Sequence, residues 1–538
     1  MRPRPVGVVR GLAVVLLAAS AVATFAVPVA AGGTPTIVGV YANPAAPEDA
    51  GEFVTVAVPD AAGDCSLADG EERVSLPAHA AGRVTFSAAP NRTRALVDTP
   101  VVESALPSLA NDGESLALVC DGAVVDAATY ERAPEGDVYR DGSWRPLGRT
   151  DFPVSSVRDA NATVFALPDA PEPVLATLRN ASRRVYLGGY TFTSARVARA
   201  LRNASRRGVD VRVLVEGGPV GGVSAREARL LDALDDANVT VTVVDGPHAR
   251  YPFHHAKYAV VDESALVTSE NWKPSGVGGH GTHGWGAVVR NATIANRLAA
   301  VYRADSTWRD GVPWRRYRAN ATFQPPDPAN TTYPSRFAPL STEADRVSLV
   351  LSPDTSRDAL LRFVRDANES LLVEQMDIGT DTRLLNATVA AAERGVRVRV
   401  LVSGAWYARE ENAALVDRLN ERARRDGIDL RARLADPRGR YGLLHVKGAV
   451  ADGERVLVGS INWNENAVRN NREAELVLAD PVVGGYYARL FRADWRGGVW
   501  TLPLGLAALA LCGVLCGAWY LNREVAFGGE GEGWSGAE

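Results

Sequence analysis

Lysine is almost missing from this chain. Of 59 basic residues only Lys257, Lys273 and Lys447 are lysines, and arginine supplies the rest. A lysine kept where arginine serves everywhere else marks a place that needs a compact ammonium rather than a planar fork. Cysteine is nearly as scarce, at four residues, and none stands in a zinc-ligating pattern. No charge sign dominates: a net charge of −4 excludes a general pull toward nucleic acid or anionic lipid, although abundant arginine leaves room for a local basic groove. Long low-complexity stretches are absent too, so 538 residues suffice for several cores and two to four domains are expected.

What is present begins at the ends. Arg2, Arg4 and Arg10 precede an apolar run from Leu12 to Val27, closed by Val29-Ala30-Ala31. Residues 1–31 read as a secretory signal peptide; an uncleaved anchor is the rival, and either exports the bulk of the chain. Residues 499–521 are uncharged and apolar, which predicts one transmembrane helix, a buried soluble helix being the alternative. Residues 522–538 would then be a cytoplasmic tail, with the main body outside the cell membrane. Ten Asn-x-Ser/Thr sequons suit an exported chain. Cys512 and Cys516 fall in the apolar segment; Cys65 and Cys120 remain, and an oxidising compartment would let them pair.

Residues 34–148 alternate in short runs such as Phe53–Val58, Arg83–Phe86 and Ser115–Val119, broken by Gly, Pro, Asn and Asp. This predicts an all-β sandwich. Val40-Tyr41-Ala42-Asn43-Pro44, Gly51-Glu52-Phe53-Val54, Leu109–Ser115 and Val124-Val125-Asp126 resemble a lamin-tail-like domain. The resemblance implies an immunoglobulin-like binding or spacer module; no catalytic constellation is visible there, and His79 reads as a surface histidine.

Between Val154 and Trp495 the chain repeats itself. Leu167-Pro168-Asp169 is matched by Ser352-Pro353-Asp354, Arg207–Val215 by Arg394–Val402, and Tyr302–Asp305 by Phe491–Asp494, at offsets of 185, 187 and 189. The steady register is an internal duplication. Each copy, 154–320 and 342–497, reads as an α/β lobe, and the proline-rich link Asn320–Ser341 separates them.

Each copy carries His-x-Lys-x4-Asp: His255, Lys257 and Asp262, then His445, Lys447 and Asp452. Asn-Trp elements follow, Thr268-Ser269-Glu270-Asn271-Trp272 and Gly459-Ser460-Ile461-Asn462-Trp463. Strand alternation would turn His and Lys to one face. Such a set suits phosphodiester cleavage without a metal or other cofactor. One imidazole attacks phosphorus and a second protonates the leaving oxygen. Two ammoniums with Ser and Asn donors then hold the non-bridging oxygens. One motif has half of what is needed, and two facing motifs supply the rest.

These residues resemble the phospholipase D superfamily, whose two halves each give one motif to a shared site. The resemblance implies two duplicated α/β lobes with one active site, and a phosphohistidine intermediate, on His255 by analogy, with His445 as acid. Each Asp would support geometry rather than react. Ser269, Asn271, Ser460, Asn462 and Glu473 are the expected substrate-binding residues. Glu473, in Asn471-Arg472-Glu473, matches the family's downstream acidic element, whereas copy one has Trp285-Gly286 there. His254 alternates to the opposite face and reads as structural. His280 and His283 read as part of a pocket-bordering loop, since two ligands without a carboxylate make no metal site. Glu374 and Asp377 read as structural. The expected partner is a phosphodiester, lipid ahead of nucleic acid, met at a membrane that the C-terminal helix anchors. An exported nuclease, a phosphatidyltransferase and an inactive surface binding protein are the alternatives. Oligomeric state is not readable.

Overall fold

The computed structural model describes residues 34–497, apart from 45–48, 59–63, 78–80, 141, 246–248, 326–330 and 381, together with residues 504–524. The expected signal peptide, His79 and the tail beyond Glu524 lie outside the described residues.

The N-terminal segment folds into two sheets. Six strands run in the order Ser143–Pro146, Asp137–Arg140, Thr36–Tyr41, Phe53–Val58, Gly82–Ser87, Val101–Glu103, and four in the order Arg73–Ser75, Cys65–Ala68, Glu114–Cys120, Ala123–Tyr130. Val40, Val54 and Phe86 from the first meet Leu67, Leu116 and Leu118 from the second in one core. Cys65 and Cys120 are bonded across neighbouring strands of the smaller sheet.

The duplicated part forms one continuous 16-stranded sheet. At its centre Ser155–Leu167 and Leu340–Ser352, the equivalent first strands of the two copies, pair antiparallel. Outward from this seam the order is the same in both copies. Thr282–Arg290 comes first, then Ser264–Thr268, Tyr258–Val261, Arg184–Gly189, Asp210–Glu216 and Thr240–Val244. Their counterparts are Glu473–Ala479, Arg455–Gly459, Lys447–Ala451, Ser370–Gln375, Arg397–Val402 and Leu430–Leu434.

Alternation explains the layering. In Ser155–Leu167, Ala160, Ala162, Val164 and Ala166 enter a core shared by both lobes, while Phe165 and Leu167 face a core private to lobe 1. Helices Ala292–Ser306 and Pro481–Arg496 cover the shared face, and the remaining lobe helices cover the private ones. Each covering helix starts where a side chain accepts from its first turn: Asn291 from Thr293 and Ile294, Asp480 from Val482 and Val483.

The apolar C-terminal segment forms a helix, Leu504–Glu524. Residues 499–503 of the expected span lie outside the described residues, and Gly505, Gly513 and Gly517 dilute the apolar character of the described part. Among the described residues no helix is long and apolar enough to cross a membrane, which corrects the span expected over 499–521.

Candidate active site

The strand expected to carry each His-x-Lys pair begins later than alternation suggested, at Tyr258 in copy one and Lys447 in copy two. The histidines precede it because their backbone pairs with the opposite lobe. His255 N–H donates to Arg472 O (2.9 Å) and Arg472 N–H to Phe253 O (3.0 Å); His445 N–H donates to His283 O (2.8 Å) and Gly442 N–H to Gly281 O (2.6 Å). Each motif is thus seated at the start of a strand of the other copy, which brings both to the seam.

Each imidazole faces a carboxylate from across the seam, hydrogen-bonded at His255 and at ion-pair distance at His445. His255 Nδ1 lies 2.7 Å from Glu473 Oε1, and His445 Nδ1 lies 3.4 Å from Glu270 Oε1. Holding Nδ1 turns Nε2 of each ring into the reactive nitrogen. The lysines are buried, Lys257 Nζ donating to His255 O and Lys447 Nζ to His445 O at 2.9 Å. Burial pushes the Lys257 ammonium well below its ordinary value and Lys447 down to about 8, against the pull of Glu473 and Glu270. Burial likewise lowers both histidines to about 4; Lys257 and Lys447 deepen that shift at each ring, while Glu473 supports charge on His255 and Glu270 on His445. Each lysine acts on the histidine of the other motif as well as its own, the electrostatic mark of a shared pocket.

The acid missing from copy one is supplied from a different position. Glu270 stands at the variable place of the Ser-x-Asn element, where copy two has Ile461, and it points into space opened by Gly284: a Cβ there would sit 2.4 Å from Glu270 Oε1. Thr282 Oγ1 donates to Glu270 Oε2 (2.5 Å), as Asn471 Nδ2 donates to Glu473 Oε1 (3.3 Å) at the equivalent place in copy two. Sequence reasoning passed Glu270 over; its signal was an acid where the other copy has an apolar residue. Tyr190 was missed too. Its ring meets His255 edge-on at 4.7 Å and lies 5.1 Å from Lys257 Nζ.

The other expected site residues differ in what engages them. Asp262 carboxylate accepts from the backbone of Ser182, Arg183 and Arg184, and Asp452 from that of Asn368, Glu369 and Ser370. Both have positive φ and tie a turn to the next strand. The hydroxyls of Ser269 and Ser460 are taken by the final strand, accepting from Trp285 N–H (3.0 Å) and Ala474 N–H (3.1 Å). Asn271 and Asn462 each keep a buried amide oxygen without a protein partner.

His254 sits on Asp305 (3.5 Å), its peptide N–H on Glu216 (2.7 Å). His280 is on the surface side, against Thr331 O. His283 is no loop residue: it is buried at the seam, 3.0 Å from Asp494 and 3.6 Å from Glu374, the carboxylates the sequence did not reveal. Its Nδ1 donates to Leu167 O (2.6 Å), and the two acids raise its pKa to about 9 despite burial. With both ring nitrogens protonated the ring has no lone pair to offer a metal, and with Arg440 on Asp494 (2.8 Å) the cluster suits an ion pair, while burial and Asp494 push Glu374 well above the ordinary carboxylate range. Asp377 accepts from Asn464 (2.9 Å).

A family model described as "Cardiolipin synthase, PLD-like domain" matches residues 174–306 and 360–495. The chain is 33% identical over 113 residues to the mitochondrial cardiolipin hydrolase of Xenopus tropicalis, 21% of this chain and 49% of that protein. It is 27% identical over 203 residues to cardiolipin synthase A of Yersinia pseudotuberculosis, 37% of each. The chain thus spans half or less of these relatives. Among solved structures it resembles phosphatidylserine synthase from Haemophilus influenzae, with 15% identity and a TM-score of 0.44, covering 63% of this chain and 86% of that one.

Proposed function

The chain belongs to the phospholipase D superfamily, and from that premise we propose that it is a phosphodiesterase acting on a phospholipid through a phosphohistidine. One observation carries the reading: two His-Lys pairs, one from each lobe, with Nδ1 of each imidazole facing a carboxylate of the other lobe, at 2.7 Å for His255 and 3.4 Å for His445. His255, with the shorter carboxylate contact, attacks phosphorus through Nε2. The P–O bond to the departing alcohol breaks, and His445 gives that oxygen its proton. Water then attacks the phosphohistidine, returning a proton to His445 and releasing His255. Lys257 and Lys447 stabilise the charge on the non-bridging oxygens. Bringing in a second alcohol in place of water would give transfer rather than hydrolysis by the same steps. The names of the relatives, cardiolipin hydrolase and cardiolipin synthase, support a phospholipid with either outcome. The bonded Cys65–Cys120 pair supports a place outside the cytoplasm.

The test offers the full-length protein cardiolipin, phosphatidylglycerol and single-stranded DNA in the presence of chelator. Lipid turnover, lost in both His255→Asn and His445→Asn, is expected, with labelled phosphate trapped on His255 alone. Cleavage of DNA only, or turnover that needs added metal, would refute the reading.

A further inference from the structure

Two loops that follow equivalent strands of the lobes carry apolar side chains that face water. In lobe 1 the loop after strand Asp210–Glu216 bears Val220, 82% exposed; in lobe 2 the loop after the equivalent strand Arg397–Val402 bears Trp406, 86% exposed. An indole left almost wholly in water is unfavourable, and Val220 stands on the equivalent loop of the other lobe.

Both tips are wired to the site. Val220 N–H donates to Tyr190 Oη (2.6 Å), and Tyr190 packs on His255. Trp406 meets Tyr407 edge-on at 5.6 Å, Tyr407 Oη reaches Met376 Sδ (3.8 Å), and Met376 Sδ lies 3.9 Å from Lys447 Nζ. Burial and, after it, the Glu270 carboxylate of lobe 1 raise the pKa of Tyr407 in lobe 2. Each apolar tip is thus joined through its neighbours to one His-Lys pair, Val220 to that of lobe 1 and Trp406 to that of lobe 2.

We infer that Val220 and Trp406 are the contact points by which the cleft docks on a phospholipid surface, so that the substrate is a lipid in a bilayer rather than a dissolved phosphodiester. This rests on the reading of the site given above. The continuity of each tip with a catalytic ring or ammonium argues for this occupant: the only diester that must be drawn from an apolar surface is a lipid, and apolar tips around the entrance lower the cost of bringing its head group to the histidines. Tryptophan suits the boundary between head groups and acyl chains, where its ring is apolar and its N–H finds a partner.

The full-length protein is compared with Trp406→Ser and Val220→Ser on two substrates. One is phosphatidylglycerol in extruded vesicles with phosphatidylcholine, the other water-soluble bis(p-nitrophenyl) phosphate. Vesicle turnover should fall roughly tenfold in each variant, the effect of about 1.4 kcal/mol of lost partitioning, with soluble turnover unchanged. Equal loss on both substrates, or on neither, overturns the inference. A second measurement does not need activity. A nitroxide on Trp406→Cys, with Cys512 and Cys516 replaced by Ala, should gain contact with lipid-dissolved oxygen when vesicles are added. A label that ignores vesicles, or that is immobilised by protein concentration alone, overturns lipid docking, the latter in favour of a second copy. Wild-type protein inert on both substrates, with a label that does respond, would reject the proposed reaction and leave the docking surface standing.

Discussion

Arg472 and His283 occupy equivalent positions in the two copies, and each is a buried cation that fastens its lobe to the other. Arg472 donates to Ser352 O in its own lobe (3.1 Å) and pairs with Asp305 of lobe 1 (2.9 Å) and with Asp354 (3.2 Å). His283 donates to Leu167 O in its own lobe and pairs with Asp494 of lobe 2. The peptide carbonyls of these same two residues receive the N–H of His255 and His445. What closes the seam therefore also sets the catalytic rings.

Replacing Arg472 by Met should cost about 3–5 kcal/mol, because Asp305 and Asp354 would be left buried without a cation. Lysine should rescue little, since one ammonium cannot reach Ser352 O, Thr150 Oγ1 and two carboxylates together. Denaturant unfolding of the three proteins measures both effects; a Met variant within 1 kcal/mol of wild type would contradict the latch.

His283 makes its half of the latch dependent on pH. Asp494 and Glu374 face the ring, Arg440 sits on Asp494, and Tyr441 stacks on the ring at 4.6 Å. The folded pKa is raised to about 9 against an unfolded value near 6.5. Stability from this group is thus complete below about pH 6.5 and is lost as pH rises through 9, at most about 3 kcal/mol. Thermal melts of wild type should decline over that window, and those of His283→Gln should start lower and stay flatter. Parallel declines would contradict the assignment.

The duplication was plain in the sequence because equivalent strands need the same apolar pattern, as in Arg207–Val215 and Arg394–Val402. So were the two His-x-Lys pairs, since three lysines in the whole chain leave little room for chance. Hidden were the contacts that cross the seam. Glu270 belongs to one motif but serves the histidine of the other, and His283 meets Glu374 and Asp494 only after both lobes have folded. Local spacing carries no record of such pairs. The expected membrane span differs in kind: residues 499–503 lie outside the described residues, and among the described ones no helix is long and apolar enough to cross a membrane.

Asp452 separates architecture from chemistry. Burial opposes its charge, but the N–H groups of Glu369, Ser370 and Asn368 outweigh that and hold its pKa below the ordinary value. Its contribution to stability is therefore present above pH 4 and lost as pH falls through the lowered value. Asp452→Ala should lower stability by about 1 kcal/mol, reduced by solvent screening, with kcat of the folded fraction within about twofold of wild type. A loss of kcat comparable to that of His445→Asn would assign it to the reaction instead.

The two carboxylates should shift opposite limbs of the pH profile. Glu473 raises the pKa of His255, which must be neutral to attack; Glu270 raises that of His445, which must be protonated to release the alcohol. Glu270→Gln lowers the His445 pKa, so the descending limb of kcat/KM should move to lower pH. Glu473→Gln lowers that of His255, so the ascending limb should move to lower pH while the descending limb stays. The contact at 2.7 Å fixes its ring more firmly than that at 3.4 Å, so the loss at each optimum should be about a hundredfold for Glu473→Gln and about tenfold for Glu270→Gln. Both variants moving the same limb would mean that the two histidines do not divide the work as nucleophile and acid.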